Sequence, residues 1–126
     1  MRAINGIEIF VEEETGNKFM MDARLGYIHS CPTNLGTGMR SSVHINLPGW
    51  AKEGFSELQN RCTELSLQCR EISDVSGSEY ENVYDISNKN RLGFSEVEII
   101  QGMTEGINTL YNEDIELQAT HGINKE

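Results

Sequence analysis

The sequence predicts an α+β fold, a layer of four β-strands with helices packed on it, and three observations carry that reading. Val43, Ile45 and Leu47 alternate with polar residues, as in a strand with one buried face. Phe55, Leu58, Cys62 and Leu65 recur at helical spacing and form one apolar stripe. Ser95-x-x-Glu98 is a capping box ahead of apolar residues at Val97, Ile100, Met103, Ile107, Leu110 and Tyr111, which marks a long helix.

In chain order, Ile4, Ile7, Phe10 and Val11 predict an opening helix, although Met1-Arg2-Ala3 offers no capping side chain, so the helix reads as cut at its start. Glu12 to Lys18 is polar, contains Gly16 and reads as a loop. Strands are expected over Leu25 to Cys31 and Arg40 to Leu47, with Pro48-Gly49 ending the second. One helix is expected from about Ala51 to Leu65, a strand over Leu67 to Ile72, and a loop over the Ser, Asp, Glu and Gly-rich stretch Ser73 to Glu81. Asn82 to Ser87 is the fourth strand, and the last helix is expected to fray near Leu117.

A chain of 126 residues with 37% hydrophobic residues can bury one small core. Its formal charge of -10, from 20 acids against 10 Lys and Arg, argues against nucleic-acid binding, which needs clustered cations. No apolar stretch is long enough to span a membrane, and no basic and apolar leader opens the chain; a cytoplasmic location, within a larger assembly or not, is the expectation. Cys31, Cys62 and Cys69 are odd in number and show no Cys-x-x-Cys pair, which suggests reduced thiols. His29, His44 and His121 lack ligand spacing, so no structural metal is expected.

The densest chemistry lies in Cys31-Pro32-Thr33-Asn34-Leu35-Gly36-Thr37-Gly38-Met39-Arg40 and the Ser-Ser-Val-His-Ile-Asn-Leu-Pro that follows. Arg40, Ser42, His44 and Asn46 share the face opposite Val43, Ile45 and Leu47. Such a face is either solvated or a binding floor, and a Gly-containing turn at its edge lets backbone N–H groups approach an anion.

This segment resembles the cysteine loop of the phosphagen (guanidino) kinases, the creatine and arginine kinase family. So do Phe19 to Tyr27, FMMDARLGY, and Val83 to Glu98, VYDISNKNRLGFSEVE. The three blocks keep their order, and the resemblance runs from about Arg2 to about Leu117. It implies a partial phosphagen-kinase C-terminal domain of the glutamine-synthetase-like kind over residues 1–117, an antiparallel four-stranded sheet flanked by helices, followed by a polar tail, 118–126. It also implies that the family's N-terminal domain, and the early strands that supply phosphate-binding arginines and a carboxylate, fall outside this sequence.

The resemblance further implies residue roles. Cys31 is similar to the substrate-contacting cysteine and Thr33 to the hydroxyl residue that stabilises its thiolate; a thiolate suits a guanidinium. Arg40 and Arg70 are similar to arginines that hold ATP phosphates, Ser42, Val43 and His44 to contacts on the adenosine side, and Asp85 to an acid near the ribose and the metal-bound waters. MgATP or MgADP is the implied ligand. Taken as residues alone, Cys31 is also a buried strand thiol, Arg70 a surface ion pair and Asp85 a turn-fixing carboxylate.

The sequence departs from the family after Arg70, where a mobile Arg-Gly-Thr-x-Gly loop is replaced by Arg70-Glu71-Ile72-Ser73-Asp74-Val75-Ser76-Gly77. Acids at Glu71 and Asp74 stiffen the backbone and repel phosphate. The expectation is a truncated, degenerate module, a pseudoenzyme inactive alone, with a structural or partner-binding role. A protein partner or a second copy is expected at the incomplete sheet edge. The alternative is the C-terminal part of an active ATP:guanidino phosphotransferase completed by missing sequence or another chain.

Overall fold

The computed structural model describes residues 2–72 and 82–123. The elements are α1 (Arg2–Thr15), β1 (Met21–Asp22), β2 (Gly26–Tyr27), a 3₁₀ turn (Pro32–Asn34), β3 (Ser42–Asn46), α2 (Pro48–Glu53), α3 (Phe55–Glu64), β4 (Leu67–Glu71), β5 (Val83–Asn88) and α4 (Glu96–His121). The α+β class holds, with a smaller main sheet than the four strands expected. It has three antiparallel strands in the order β3-β5-β4, and β1-β2 forms a separate two-stranded hairpin. The loop expected over residues 73–81 and the end of the polar tail lie outside the described residues.

Only Gly26–Tyr27 of the stretch from Leu25 to Cys31 is a strand, because the chain turns back on itself there. Tyr27 N–H donates to Gly36 O at 2.9 Å, and Ile28 N–H to Met20 O at 2.9 Å. A Cβ on Gly26, which has φ +69°, would come within 2.6 Å of Gly36 O, so the two backbones meet only through glycine. Cys31 therefore precedes a 3₁₀ turn and is not on a strand.

Pro48 ends β3 and also opens α2, where a fixed φ and a missing N–H cost nothing. The single helix expected from Ala51 to Leu65 is two helices. Gly54, at φ 107° and ψ 149°, breaks it and lets α3 lie against the sheet. The α3 stripe is as read: Leu58 and Cys62 are buried, and Phe55 and Leu65 pack partly against the same core.

Register places Ile45 beside Tyr84, and Val43 and Cys69 on either side of Ile86. These residues share the inner face, where Leu67, Cys69, Tyr84 and Ile86 meet Leu58 and Cys62 of α3 and Met103 and Leu110 of α4. Phe55 stacks on Tyr84 with ring centroids 6.0 Å apart.

The predicted capping box opens α4: Glu98 N–H donates to Ser95 Oγ, and Ser95 N–H to Glu98 Oε2. The helix does not fray at Leu117; it continues to His121 and closes on Gly122 in the left-handed conformation. Its buried face is Ile99, Met103, Gly106, Leu110, Asp114 and Gln118, which leaves Val97, Ile100 and Tyr111 exposed. The opening helix α1 buries little: Ile4, Ile7 and Ile9 are each 56% exposed and Phe10 is 62% exposed. Among the described residues, no helix is long and apolar enough to cross a membrane.

Candidate functional site

Cys31 is exposed, with Sγ 2.9 Å from Thr33 Oγ1. Hydrogen bonds from the Thr33 hydroxyl and then its backbone hold the Cys31 thiol below the ordinary cysteine pKa, and the Arg91 charge adds to this. The turn that makes this possible is fixed from a distance. Arg91 Nη1 donates to Thr33 O at 2.8 Å, and Thr37 N–H donates to Arg91 O at 3.3 Å. The loop can present a thiolate to a cation.

The second cluster lies on the outer face of the main sheet. Pairing sets His44 and Arg70 on opposite sides of Asp85, and Ser42 and Gln68 on opposite sides of Ser87. Arg40, just before β3, reaches back so that Nη2 donates to Asp85 Oδ2, while His44 Nε2 lies 3.8 Å from Asp85 Oδ1. Asp85 Oδ1 and Ser87 Oγ are buried without a hydrogen-bond partner, so this face keeps unspent polar capacity. It can offer guanidinium groups to an anion if Asp85 releases Arg40.

The structure thus gathers Arg40, Ser42, His44, Arg70 and Asp85 on one face and sets Cys31 on a separate loop. Val43 pairs with Ile86 and belongs to the opposite face, so only its backbone can serve a ligand held by its neighbours. Glu71 is exposed at the end of β4, and Asp74 and Val75 lie outside the described residues. Among the described residues, no group of three or more His, Cys, Asp or Glu side chains could hold a metal ion.

Two positioning residues escaped the sequence reading. Asn88 Oδ1 accepts from Ser41 N–H at 2.8 Å, and its amide donates to Met39 O at 3.2 Å and Asn90 O at 2.9 Å, so one buried side chain clamps both neighbours of Arg40. Arg91 is the other, as the tie to the cysteine turn. An Asn in Ser87-Asn88-Lys89-Asn90 reads locally as a turn former, and only the fold reveals its reach.

Comparison with known proteins gives these clusters a context. Residues 2–117 match the family model described as ATP:guanido phosphotransferase, C-terminal catalytic domain. The chain is 39% identical over 123 residues to an arginine kinase of Stichopus japonicus, covering 97% of this chain and 32% of the relative. It is 43% identical over 107 residues to the B-type creatine kinase of Gallus gallus, covering 84% and 27%. The crystal structure of a lombricine kinase superposes with a TM-score of 0.76 at 35% identity over 94% of this chain and 32% of that one. A duplicated taurocyamine kinase from Schistosoma mansoni gives 0.73 at 32% identity over 90% and 16%. The chain spans about a third or less of the length of these relatives. Together, the ordered motifs, the sheet that carries them and the match over residues 2–117 mean that the chain belongs to the phosphagen (ATP:guanido phosphotransferase) kinase family, by part of its C-terminal catalytic domain.

Proposed function

We propose that this chain is a phosphagen-kinase-like module that does not transfer phosphoryl groups by itself and acts as a structural or partner-binding protein. The observation that carries the reading is the state of Arg40. Transfer from ATP requires several cationic groups on the phosphates and a second substrate held in line. Here the guanidinium best placed for a phosphate is committed to Asp85, and Glu71 adds a negative charge one residue after Arg70.

Exposed surface supports the partner-binding half of the proposal. Ile4, Ile7, Ile9 and Phe10 leave an apolar surface on α1 exposed, and among the described residues β3 and β4 have no strand on their outer edges. A polypeptide that adds a strand there and covers α1 is the fitting partner.

MgATP would enter as a substrate. The orphaned Asp85 Oδ1 and Ser87 Oγ suit a ligand that brings hydroxyl groups, with His44 beside them, so the outer face fits part of a nucleotide. Arg40 and Arg70 would take phosphate oxygens, and the Cys31 thiolate would orient a guanidinium. This second reading, an active site completed by another polypeptide segment, is favoured by the Cys31–Thr33 pair. A coupled assay of the folded chain with MgATP and a guanidino acceptor tests both. The first reading expects no turnover; ordinary kinase rates from the chain alone would overturn it. Turnover that appears only on adding a polypeptide carrying the rest of the relatives' fold would establish the second.

A further inference from the structure

We infer that two copies of this chain join along the outer edge of β3, so that the main sheet runs from one copy into the other. The inference rests on the partner-binding reading above and names the partner. In the β3–β5 ladder, Asn88 N–H donates to Ser41 O at 3.3 Å and Leu47 N–H to Asn82 O at 3.0 Å. An antiparallel pair bonds only alternate residues. Val43 and Ile45 therefore spend their backbone groups on β5, while Ser42, His44 and Asn46 turn theirs to the open side, and these three residues are exposed. The edge of β4 offers less. Lys89 N–H donates to Ser66 O at 3.2 Å, which leaves Leu67 and Cys69 turned outward, and these residues are only 2% and 4% exposed.

Side chains name a second copy as the occupant. Val43 is opposite fully buried Ile86 on the inner face, yet Val43 itself is 39% exposed, so the apolar face runs out to the edge without a cover. A covering strand has to be apolar on that face. Charge narrows the choice further, because the chain carries -10 from 20 acids and a second copy brings the same charge to the contact. None of those acids lies between Asp22 and Glu53. β3 sits inside this acid-free run, and Asp85, opposite His44 on β5, already holds Arg40. The strand can meet its own image without setting acid against acid, and that image supplies the apolar residues that Val43 and Ile45 need.

A two-fold axis perpendicular to the sheet at His44 gives the register. Ser42 then exchanges N–H···O=C bonds with Asn46 of the second copy, His44 with His44, and Asn46 with Ser42. Between these bonded positions Val43 lies against Ile45 of the second copy and Ile45 against Val43, two β-branched pairs on the inner face. Neither neighbouring register does as well. A shift of two residues one way brings Ile45 opposite polar Ser41, and a shift the other way brings Ser42 opposite Pro48, which has no N–H to give. The two His44 rings lean apart, since each lies toward its own Asp85, with Nε2 3.8 Å from Oδ1.

Sedimentation equilibrium of the folded chain from micromolar to millimolar concentration tests the inference, with residue-resolved amide hydrogen exchange on the same samples. The expected result is a reversible dimer in which the Ser42, His44 and Asn46 amides exchange more slowly as concentration rises, while Val43 and Ile45, already bonded to β5, do not change. Val43→Lys sets an ammonium against Ile45 of the other copy at both symmetric positions, and should raise the dimer Kd roughly tenfold or more. Asn46→Pro removes an N–H that β5 does not use and should weaken the dimer similarly, with far-UV circular dichroism unchanged. A monomer at every concentration would overturn the inference. So would a dimer whose concentration-dependent protection falls outside β3, a result that needs no variant, or one whose Kd neither substitution changes. A monomer that captures another polypeptide would end the self-pairing and leave the partner-binding reading intact, whereas ordinary kinase turnover by a β3-paired dimer would do the reverse.

Discussion

Replacing Asp114 with alanine should destabilise the chain by about 2 kcal/mol, although Asp114 lies on a helix far in sequence from every motif residue. The carboxylate is fully buried. Its Oδ1 accepts from Trp50 N–H at 3.0 Å, and its Oδ2 from the Gln118 amide. Pro48, Gly49 and Trp50 are the first three residues of α2, and Leu47 before them offers no capping side chain. Asp114 is therefore the N-cap of α2, supplied from α4. A Cβ on Gly49 would come within 2.6 Å of Asp114 O, so the helices approach this closely only because residue 49 is glycine. Losing this cap leaves the partly buried Trp50 N–H without an acceptor, which costs about 1–3 kcal/mol. Gln118, at the edge of the buried region, can turn to water and adds little. Asp114→Asn keeps an acceptor of the same shape and should cost about 1 kcal/mol. Urea unfolding followed by far-UV circular dichroism gives the difference, and fluorescence of Trp50, the chain's single tryptophan, reports the contact directly because its indole N–H donates to Leu110 O. An Asp114→Ala variant within about 0.5 kcal/mol of wild type at an unchanged denaturant slope would refute the capping argument.

Thr33→Val removes the hydroxyl that holds the Cys31 pKa down, so the pH midpoint for alkylation of Cys31 should rise, with buried Cys62 and Cys69 as internal controls; an unchanged midpoint would count against the pair. Hydrogen bonds from the backbone and side chain of Ser95 lower the pKa of Glu98. A depressed carboxyl stabilises the fold above its unfolded pKa and ceases to do so as pH falls through its folded pKa. The stability difference between wild type and Glu98→Gln should therefore be constant near neutrality and shrink below about pH 4 in pH-resolved thermal melts. Asn88→Ala strips three hydrogen bonds from the clamp around Arg40 and should cost about 2 kcal/mol by chemical denaturation. It should also speed backbone hydrogen exchange at Ser41, whose N–H loses its acceptor.

What the sequence revealed depended on the range of the interaction. The β3 alternation and the Ser95–Glu98 box are local patterns with one dominant solution, and both appear in the fold where they were read. Arg40, His44 and Asp85 were read as one site and do converge, because antiparallel register places His44 opposite Asp85. Leu25 to Cys31 misled because an alternating run says nothing about a distant glycine. Gly36 captures Tyr27 N–H and diverts the segment from the sheet. Gly54 was passed over because the apolar stripe around Phe55 keeps a helical period on both sides of the break. On α4, apolar spacing alone could not tell Val97 and Tyr111, which face outward, from Ile99 and Asp114, which face the core. Asn88, Arg91 and Asp114 act on residues at least 47 positions away, beyond any sequence window.

The two faces of the main sheet differ in what they contribute, and this bears on how the cysteine motif should be interpreted. Stability rests on the inner face, where Leu58, Cys62, Ile86 and Leu110 are sealed by α3 and α4. On the outer face the Arg40 side chain is 38% exposed, so its ion pair with Asp85 is worth at most about 1 kcal/mol. Arg40 can therefore change without unfolding the chain. The Cys31 turn is different, because a side chain at Gly36 would collide with the backbone of Arg91 and Leu92, and Arg91 in turn holds Thr33 O. Those contacts tie the turn to the end of β5 and give its Gly a structural reason to persist whether or not a substrate ever meets the thiol. A preserved Cys-Pro-Thr-Asn-Leu-Gly-Thr sequence therefore attests to the connection between loop and sheet, and activity must be judged on the outer face, where Asp85 holds the arginine that a phosphate would need.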